Sequence, residues 1–493
     1  MPDTTCGPRA HEALRERFTE VGYTADGVLA RIGELGQAGL GRNMTVPADR
    51  ALGAARDPLA TLVRLFILQQ AVPAGDLAFL AGAVDHHLDV RQGSARALVD
   101  IRPYGSDDDG ASGWVVSDLT PGLDGGDAHT RPDYVLGVSP ASTTLAQLTM
   151  RTPVRRALDL GTGCGVQSLH LARHADEVVA TDVNPRALAL ARESASLSGA
   201  RVDVREGSLF DPVAGERFDL IVSNPPYVMS PPTEPGSGLT YRETNFTGDG
   251  LLAAILRDAP RHLTPGGSLQ LLTNWAIRRD EAWDTRVRGL VEQVGLDAFV
   301  IERERLDACT YVEMWLADAG LLGTPDWRPA YDRWLDYFDE LGIEQVGMGW
   351  ILVTDAGRTT PHVRVESWPH AVQQPVGEVF ARHRRAVDAA TAPDQTLLAS
   401  RPALVDVRME TTGQPGAADP EHLVLRQTRG LLRAMECDTA LAAVLGALDG
   451  DLTVAQVLAA VAEVLDVELG RLAADVLPEL RTALEEQYLV PDL

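Results

Sequence analysis

The 493-residue chain contains no lysine; all 44 of its basic residues are arginine. That absence removes Walker-type phosphate binding, which needs a lysine on the phosphates, and Schiff-base catalysis, which needs a lysine amine. Cysteine is nearly as scarce. Its four copies, at positions 6, 164, 309 and 437, form neither a disulfide framework nor a C-x-x-C metal site, and they fit a reducing cytoplasm. No apolar run reaches the roughly 18 residues needed to span a membrane, and the start MPDTTCGPRAHE has no charged region leading into an apolar core. Positive charge is also in deficit, since 70 acidic residues against 44 basic ones leave a net −26. Such a chain is a poor generic polyanion binder, because nucleic-acid affinity rests on neutralised phosphates; a local arginine patch would be needed. The 45% of hydrophobic residues gives a folded chain with room for two to four domains.

What is present centres on residues 155–227. Ala157, Leu158, Asp159 and Leu160 read as a short buried parallel strand. Gly161-Thr162-Gly163-Cys164-Gly165 is a tight turn whose missing side chains let a ligand approach the backbone, and a helix opens at Val166. A second strand, Val178 to Thr181, ends at Asp182, where an acidic side chain can accept hydrogen bonds from ribose hydroxyls. Phe218 to Val222 is a further buried strand that runs into Ser223-Asn224-Pro225-Pro226-Tyr227. Two prolines stop it and fix the backbone, which leaves Asn224 at the carboxyl edge of the sheet. Asn224 offers a carbonyl acceptor, Pro225 a backbone carbonyl without a competing N–H, and Tyr227 a flat face: a pocket for a planar NH2 group.

DLGTGCG, TDVNP and SNPPY, in this order and spacing, resemble the class I S-adenosylmethionine-dependent methyltransferases, and more narrowly the (N/D)PP(Y/F) branch that methylates planar nitrogens. EGSLFDPVAGERFDLIVSNPPYV is closest in texture to the release-factor glutamine N5-methyltransferases. The resemblance covers roughly residues 130–320. It implies a Rossmann-like α/β sheet and S-adenosylmethionine over Gly161, Thr162, Gly163 and Gly165, with Asp159 near its amino-acid end and Asp182 and Val183 at its ribose. Ser208 and Leu209 stand at the end of strand three, where the family often has an acidic adenine contact; here that position reads Gly207-Ser208-Leu209-Phe210, with Asp211 nearby. The resemblance further implies Asn224, Pro225 and Tyr227 as catalytic residues, with Asn224 also beside the donor and Pro226 and Tyr227 against the substrate. Trp275, at the tail of strand five, is either a pocket wall or core. A protein amide is the expected acceptor, with a release factor as one possible partner. The alternatives are an exocyclic base amine in RNA or DNA, or a binding protein without turnover.

Around this core, residues 1–120 read as a helical, winged-helix-like domain. Asp57-Pro58 caps a stripe of Leu59, Leu62, Val63, Phe66 and Ile67, and two later strands are joined by GSDDDGAS. Residues 121–372 read as the methyltransferase domain, interrupted by helices near 307–341 and needing an antiparallel seventh strand beside the sixth. Residues 373–493 read as a mostly helical, winged-helix-like domain. Residues 241–250 are long and polar enough for a substrate loop. Ser142, Thr143 and Thr144 either contact the site or start a helix.

No metal site is expected. His170 and His174 have metal-pair spacing but no third ligand at a recognisable spacing. His86-His87 reads as a solvated helix end, and Asp107 to Asp109 as a solubilising hairpin tip.

Overall fold

The computed structural model describes residues 8–80, 84–126, 130–232, 246–413 and 422–492. The chain divides into two compact units, one of residues 1–146 and 153–368 and the other of residues 147–152 and 369–493.

The first unit begins with helix α1 (Pro8–Glu20), whose Leu14 and Phe18 are buried. Phe18 meets Tyr23 edge-on, with ring centroids 5.1 Å apart, and Trp114 at 5.6 Å. The proline-led stripe forms as read from the sequence. Asp57 caps the helix Pro58–Leu62 by accepting from the Ala60 N–H at 3.1 Å, and the helix widens into a π turn over Val63–Ile67. Leu62, Val63, Phe66 and Ile67 are buried.

Eight strands build the main sheet: β1 (Val154–Leu160), β2 (Ala175–Asp182), β3 (Asp203–Glu206), β4 (Phe218–Ser223), β5 (Leu263–Arg278), β6 (Asp297–Asp307), β7 (Ile343–Thr354) and β8 (Val363–Ser367). Their spatial order is β8-β6-β7-β5-β4-β1-β2-β3. Strands β1 to β5 pair in parallel, and β7 lies antiparallel between β5 and β6. This is the Rossmann-like methyltransferase sheet, seventh strand included, with β8 added parallel to β6 at the edge. The central strands carry short buried apolar runs, Ala157-Leu158, Val178 to Ala180 and Leu220 to Val222, as parallel strands covered on both faces need. Chain order reverses between β1 and β4, so their carboxyl ends form the switch point where open α/β sheets bind ligands.

Helix α2 (Val166–Leu171) follows β1, α3 (Pro185–Ser198) follows β2, and α4 (Gly250–Asp258) precedes β5. The β6–β7 connection holds α5 (Ala308–Asp318) and α6 (Trp327–Leu341), the helical interruption anticipated near 307–341.

The hairpin of strands Asp100–Gly105 and Ser112–Ser117 docks on α3 through hydroxyls. Ser194 Oγ accepts the Val116 N–H and Ser198 Oγ the Trp114 N–H, both at 2.9 Å. Gly113 permits that approach, because a Cβ there would lie 2.2 Å from Ser198 Oγ. Residues on both sides of position 120 therefore share one compact unit.

In the second unit, helices Gly377–Ala390, Thr439–Gly446, Val454–Leu465 and Leu469–Glu485 enclose a core that includes Val444, Leu458, Leu480 and Tyr488. Thr453 starts its helix with a capping box. A three-stranded antiparallel meander over Val407–Thr412, His422–Gln427 and Ala434–Cys437 stands where alanine and leucine content led the sequence reading to place no individual strand. No helix among the described residues is long and apolar enough to cross a membrane.

Candidate active site

Glycine conformation builds the first half of the site. After β1, Gly161, Gly163 and Gly165 take φ of 77°, 56° and 90°, the left-handed region that favours glycine. A Cβ on Gly161 or Gly163 would meet no atom within 4 Å, so both face open space that a ligand can fill. Gly165 serves packing instead, since its Cβ would lie 3.4 Å from the Ala191 backbone on α3. The Gly161 and Thr162 N–H groups both donate to the Thr181 carbonyl at 2.9 Å, which ties the turn to β2.

Asp182 is the hinge between turn and strand. Its carboxylate accepts the Gly163 N–H at 3.0 Å and the Asn184 N–H at 2.9 Å, and its backbone carbonyl accepts the Gly207 N–H at 3.0 Å. Burial pushes its carboxyl up from the ordinary range. Asp159 lies beneath the turn, where the hydroxyls of Thr162 (2.6 Å) and Ser168 (2.7 Å) donate to one carboxylate oxygen. It is 1% exposed, and burial raises its carboxyl to about 6. Thr162 thus spends its hydroxyl inside the fold.

The second half comes from β4. Leu160 and Ser223 are register partners, and Ser223 Oγ donates to the Leu160 carbonyl at 2.6 Å. The next residues, Gly161 and Asn224, therefore leave neighbouring strand ends about 5 Å apart. Asn224 Oδ1 is buried and has no hydrogen-bond partner among the described residues. A buried acceptor of this kind costs about 1–3 kcal/mol until a donor arrives.

Pro225, Pro226 and Tyr227 line a cleft closed on the far side by Gly248, Leu251, Leu252, Thr273 and Asn274. Tyr227 packs edge-on to Trp315 at 6.3 Å, and burial raises its phenol.

The residues that hold this segment were missed from sequence. The Tyr311 hydroxyl accepts the Met229 N–H at 3.1 Å and the Asn274 side-chain N–H at 3.0 Å. Tyr311 and Trp315 stand four apart on α5, one face of a helix, and Tyr311 packs against Trp334 and Phe338 of α6. The signal was the aromatic density of residues 311–338 in a chain with only 5% aromatics. Asp249, at the start of α4, is fully buried; it accepts the Ala276 N–H at 3.1 Å and pairs through both oxygens with Arg286.

Other candidates fall differently. Trp275 is fully buried in the sheet core, its ring filling the space left by Gly347, and the cleft is walled by its neighbour Asn274 instead. Val183 is half exposed beside Asp182. Ser208 is exposed and Leu209 takes a left-handed φ of 48°, in the turn that follows Gly207. Ser139 Oγ accepts the Ser142 N–H at 3.2 Å, a helix start, while the Ser142 carbonyl accepts from Gln167 at 2.7 Å. His170 is bound between the Tyr104 hydroxyl (2.6 Å) and Asp109 (2.7 Å), so Asp109 points inward from its hairpin and does not solubilise a tip. Of the expected substrate loop, residues 241–245 lie outside the described residues.

Two family models match the chain. One, described as a methyltransferase small domain, covers residues 137–298, and one, described as a domain of unknown function, covers residues 20–98. The chain is similar to the release factor glutamine methyltransferase of Xylella fastidiosa (strain Temecula1), 41% identical over 159 residues that make up 29% of this chain and 54% of that protein. It is also similar to the ribosomal protein uL3 glutamine methyltransferase of Bradyrhizobium diazoefficiens, 38% identical over 128 residues, or 24% and 40% of the two chains. A T. thermophilus 16S rRNA methyltransferase, solved with AdoMet and guanosine, aligns with TM-score 0.28 and 19% identity over 47% of this chain and 60% of that one. The chain spans about half the length of the curated relatives it matches.

Proposed function

We propose, from a methyltransferase small domain at residues 137–298, that this chain is an S-adenosylmethionine-dependent N-methyltransferase acting on the side-chain amide of a protein glutamine. The observation that carries the reading is Asn224 Oδ1, a buried acceptor without a partner among the described residues, at the switch point one strand spacing from the open face of the glycine turn. The glutamine methyltransferases to which the chain is similar support the choice of amide. So does the net charge of −26, which opposes a nucleic-acid tract.

S-adenosylmethionine, when bound, supplies an electrophilic methyl group. Gly161 and Gly163 would hold it by backbone approach, Asp182 would accept from its ribose hydroxyls, and Val183, Ser208 and Leu209 would border its base. Asn224 Oδ1 and the Pro225 carbonyl would accept the two N–H groups of the substrate amide, which orients the nitrogen and draws its delocalised lone pair back onto it. Pro226 and Tyr227 would cover the amide plane and exclude water. Alignment and desolvation of this kind supply several kcal/mol, and no base need remove a proton first. A folded protein is the proposed partner, a release factor the first to test, and a reducing cytoplasm the proposed compartment. Residues 1–120 and 373–493 are proposed to serve docking and positioning around the catalytic domain, residues 121–372.

Calorimetric titration with S-adenosylmethionine tests the donor half. Saturable binding of one equivalent is expected, weakened by about 1.5–3 kcal/mol in Asp182→Ala through loss of charge-assisted hydrogen bonds. Absence of binding at millimolar donor would reject the reading.

The same titration has an expected pH dependence. With the Asp159 carboxyl at about 6, a cationic donor meets a neutral acid below that pH and a carboxylate above it. Affinity should rise by up to about tenfold per unit between pH 5 and 6 and level off towards 7.5. Asp159→Asn should flatten the profile; a wild-type affinity constant from pH 5 to 7.5 would dissociate Asp159 from donor binding.

A further inference from the structure

Away from the cleft, three imidazoles converge on one buried carboxylate. Glu193, on α3 and 8% exposed, has its Oε1 3.9 Å from His11 Nε2, 3.4 Å from His86 Nε2 and 3.5 Å from His87 Nε2. His11 belongs to α1, and His86 and His87 to the single turn Asp85–His87. Ligand atoms of His86, His87 and Glu193 all lie within 4.8 Å of one another. Among the described residues neither His11 Nε2 nor His86 Nε2 has a well-formed hydrogen bond, although both atoms are buried and His11 as a whole is only 5% exposed. The expectation of a solvated His86-His87 helix end is thus corrected, because His87 is 6% exposed and both rings turn inward to α3.

Distances decide what such a cluster is built for. Charge-assisted hydrogen bonds between imidazolium and carboxylate run about 2.7–2.9 Å. Donor atoms bonded at about 2.0–2.1 Å to one tetrahedral ion lie about 3.3 Å apart. The three separations to Glu193 Oε1 fall at or beyond the second spacing and well outside the first. His11 stands behind the carboxylate: Ser196 Oγ holds its Nδ1 at 2.9 Å, and its Nε2 faces Glu193 from 3.9 Å as an outer contact.

We propose that His86, His87 and Glu193 form a binding site for one divalent transition-metal ion of the zinc class. Two imidazoles beside one carboxylate favour such an ion over calcium and magnesium, which take oxygen ligands. The ion fastens the turn at His86-His87 to α3, the helix that starts three residues after Asp182, and three protein ligands leave its fourth position to water. His86, the most exposed of the three at 21% of its side chain, gives the ion its way in.

The test uses tag-free full-length protein stripped with a chelator and titrated with Zn2+ by competition against a chromophoric chelator. His86→Asn is the working variant, since its partial exposure spares the core, and circular dichroism checks its fold. The wild type should bind one equivalent of Zn2+ and His86→Asn at least about 100-fold more weakly. Co2+ in the wild type should give the intense visible absorption of a tetrahedral site, absent from the variant. A wild type that binds no equivalent, or a folded His86→Asn that matches it, overturns the assignment.

Discussion

Arg286→Ala is expected to destabilise the first unit by about 3–5 kcal/mol, the cost of leaving a buried carboxylate without its partner. The Asp249 side chain is 1% exposed and its two oxygens face Arg286 and the Ala276 N–H. Urea unfolding of the full chain measures the loss, and adding Asp249→Asn should recover part of it by removing the stranded charge. A loss below about 1 kcal/mol would place the pair with exposed ion pairs, which contribute little. Since Asp249 begins α4 and lines the cleft with Leu251 and Leu252, the variant should also weaken substrate binding before it unfolds.

Asn224→Ala is expected to lower methyl transfer at saturating donor by at least about 100-fold while donor affinity stays nearly unchanged. The removed atom is the acceptor for the substrate amide, and losing alignment of a reacting group costs that order. The structure should tolerate the change, because Oδ1 makes no hydrogen bond among the described residues. Single-turnover transfer alongside calorimetry separates the two effects. A variant that loses donor binding but transfers at the wild-type rate once saturated would move Asn224 from the acceptor to the donor.

Much of the site was legible because its signals are local. Glycines in the left-handed region, an acidic strand end and a proline-stopped strand each occupy a short run of neighbouring residues, and the local geometry follows from chain stereochemistry. Trp275 stayed undecided between pocket wall and core for the opposite reason. Alternation along β5 places one of two neighbours inward, and only the absent side chain of Gly347, 72 residues later, reveals that the tryptophan fills the core. The contacts of Tyr311, Asp249 and Arg286 were not legible, because each acts across 27 to 82 residues, through one hydroxyl or one carboxylate. His86, His87 and Glu193 escaped likewise, since the ligand spacing of a metal site is readable only when its residues share one element. The meander at 407–437 was obscured by composition, alanine and leucine outweighing the short β-branched runs between them.

Transfer of labelled methyl from S-adenosylmethionine to a host lysate, followed by parallel protease and nuclease digestion, tests the amide reading most directly. The account predicts label that survives nuclease and is lost to protease, in wild type and not in Asn224→Ala. Label lost to nuclease and retained through protease would contradict it and move the acceptor to a base amine.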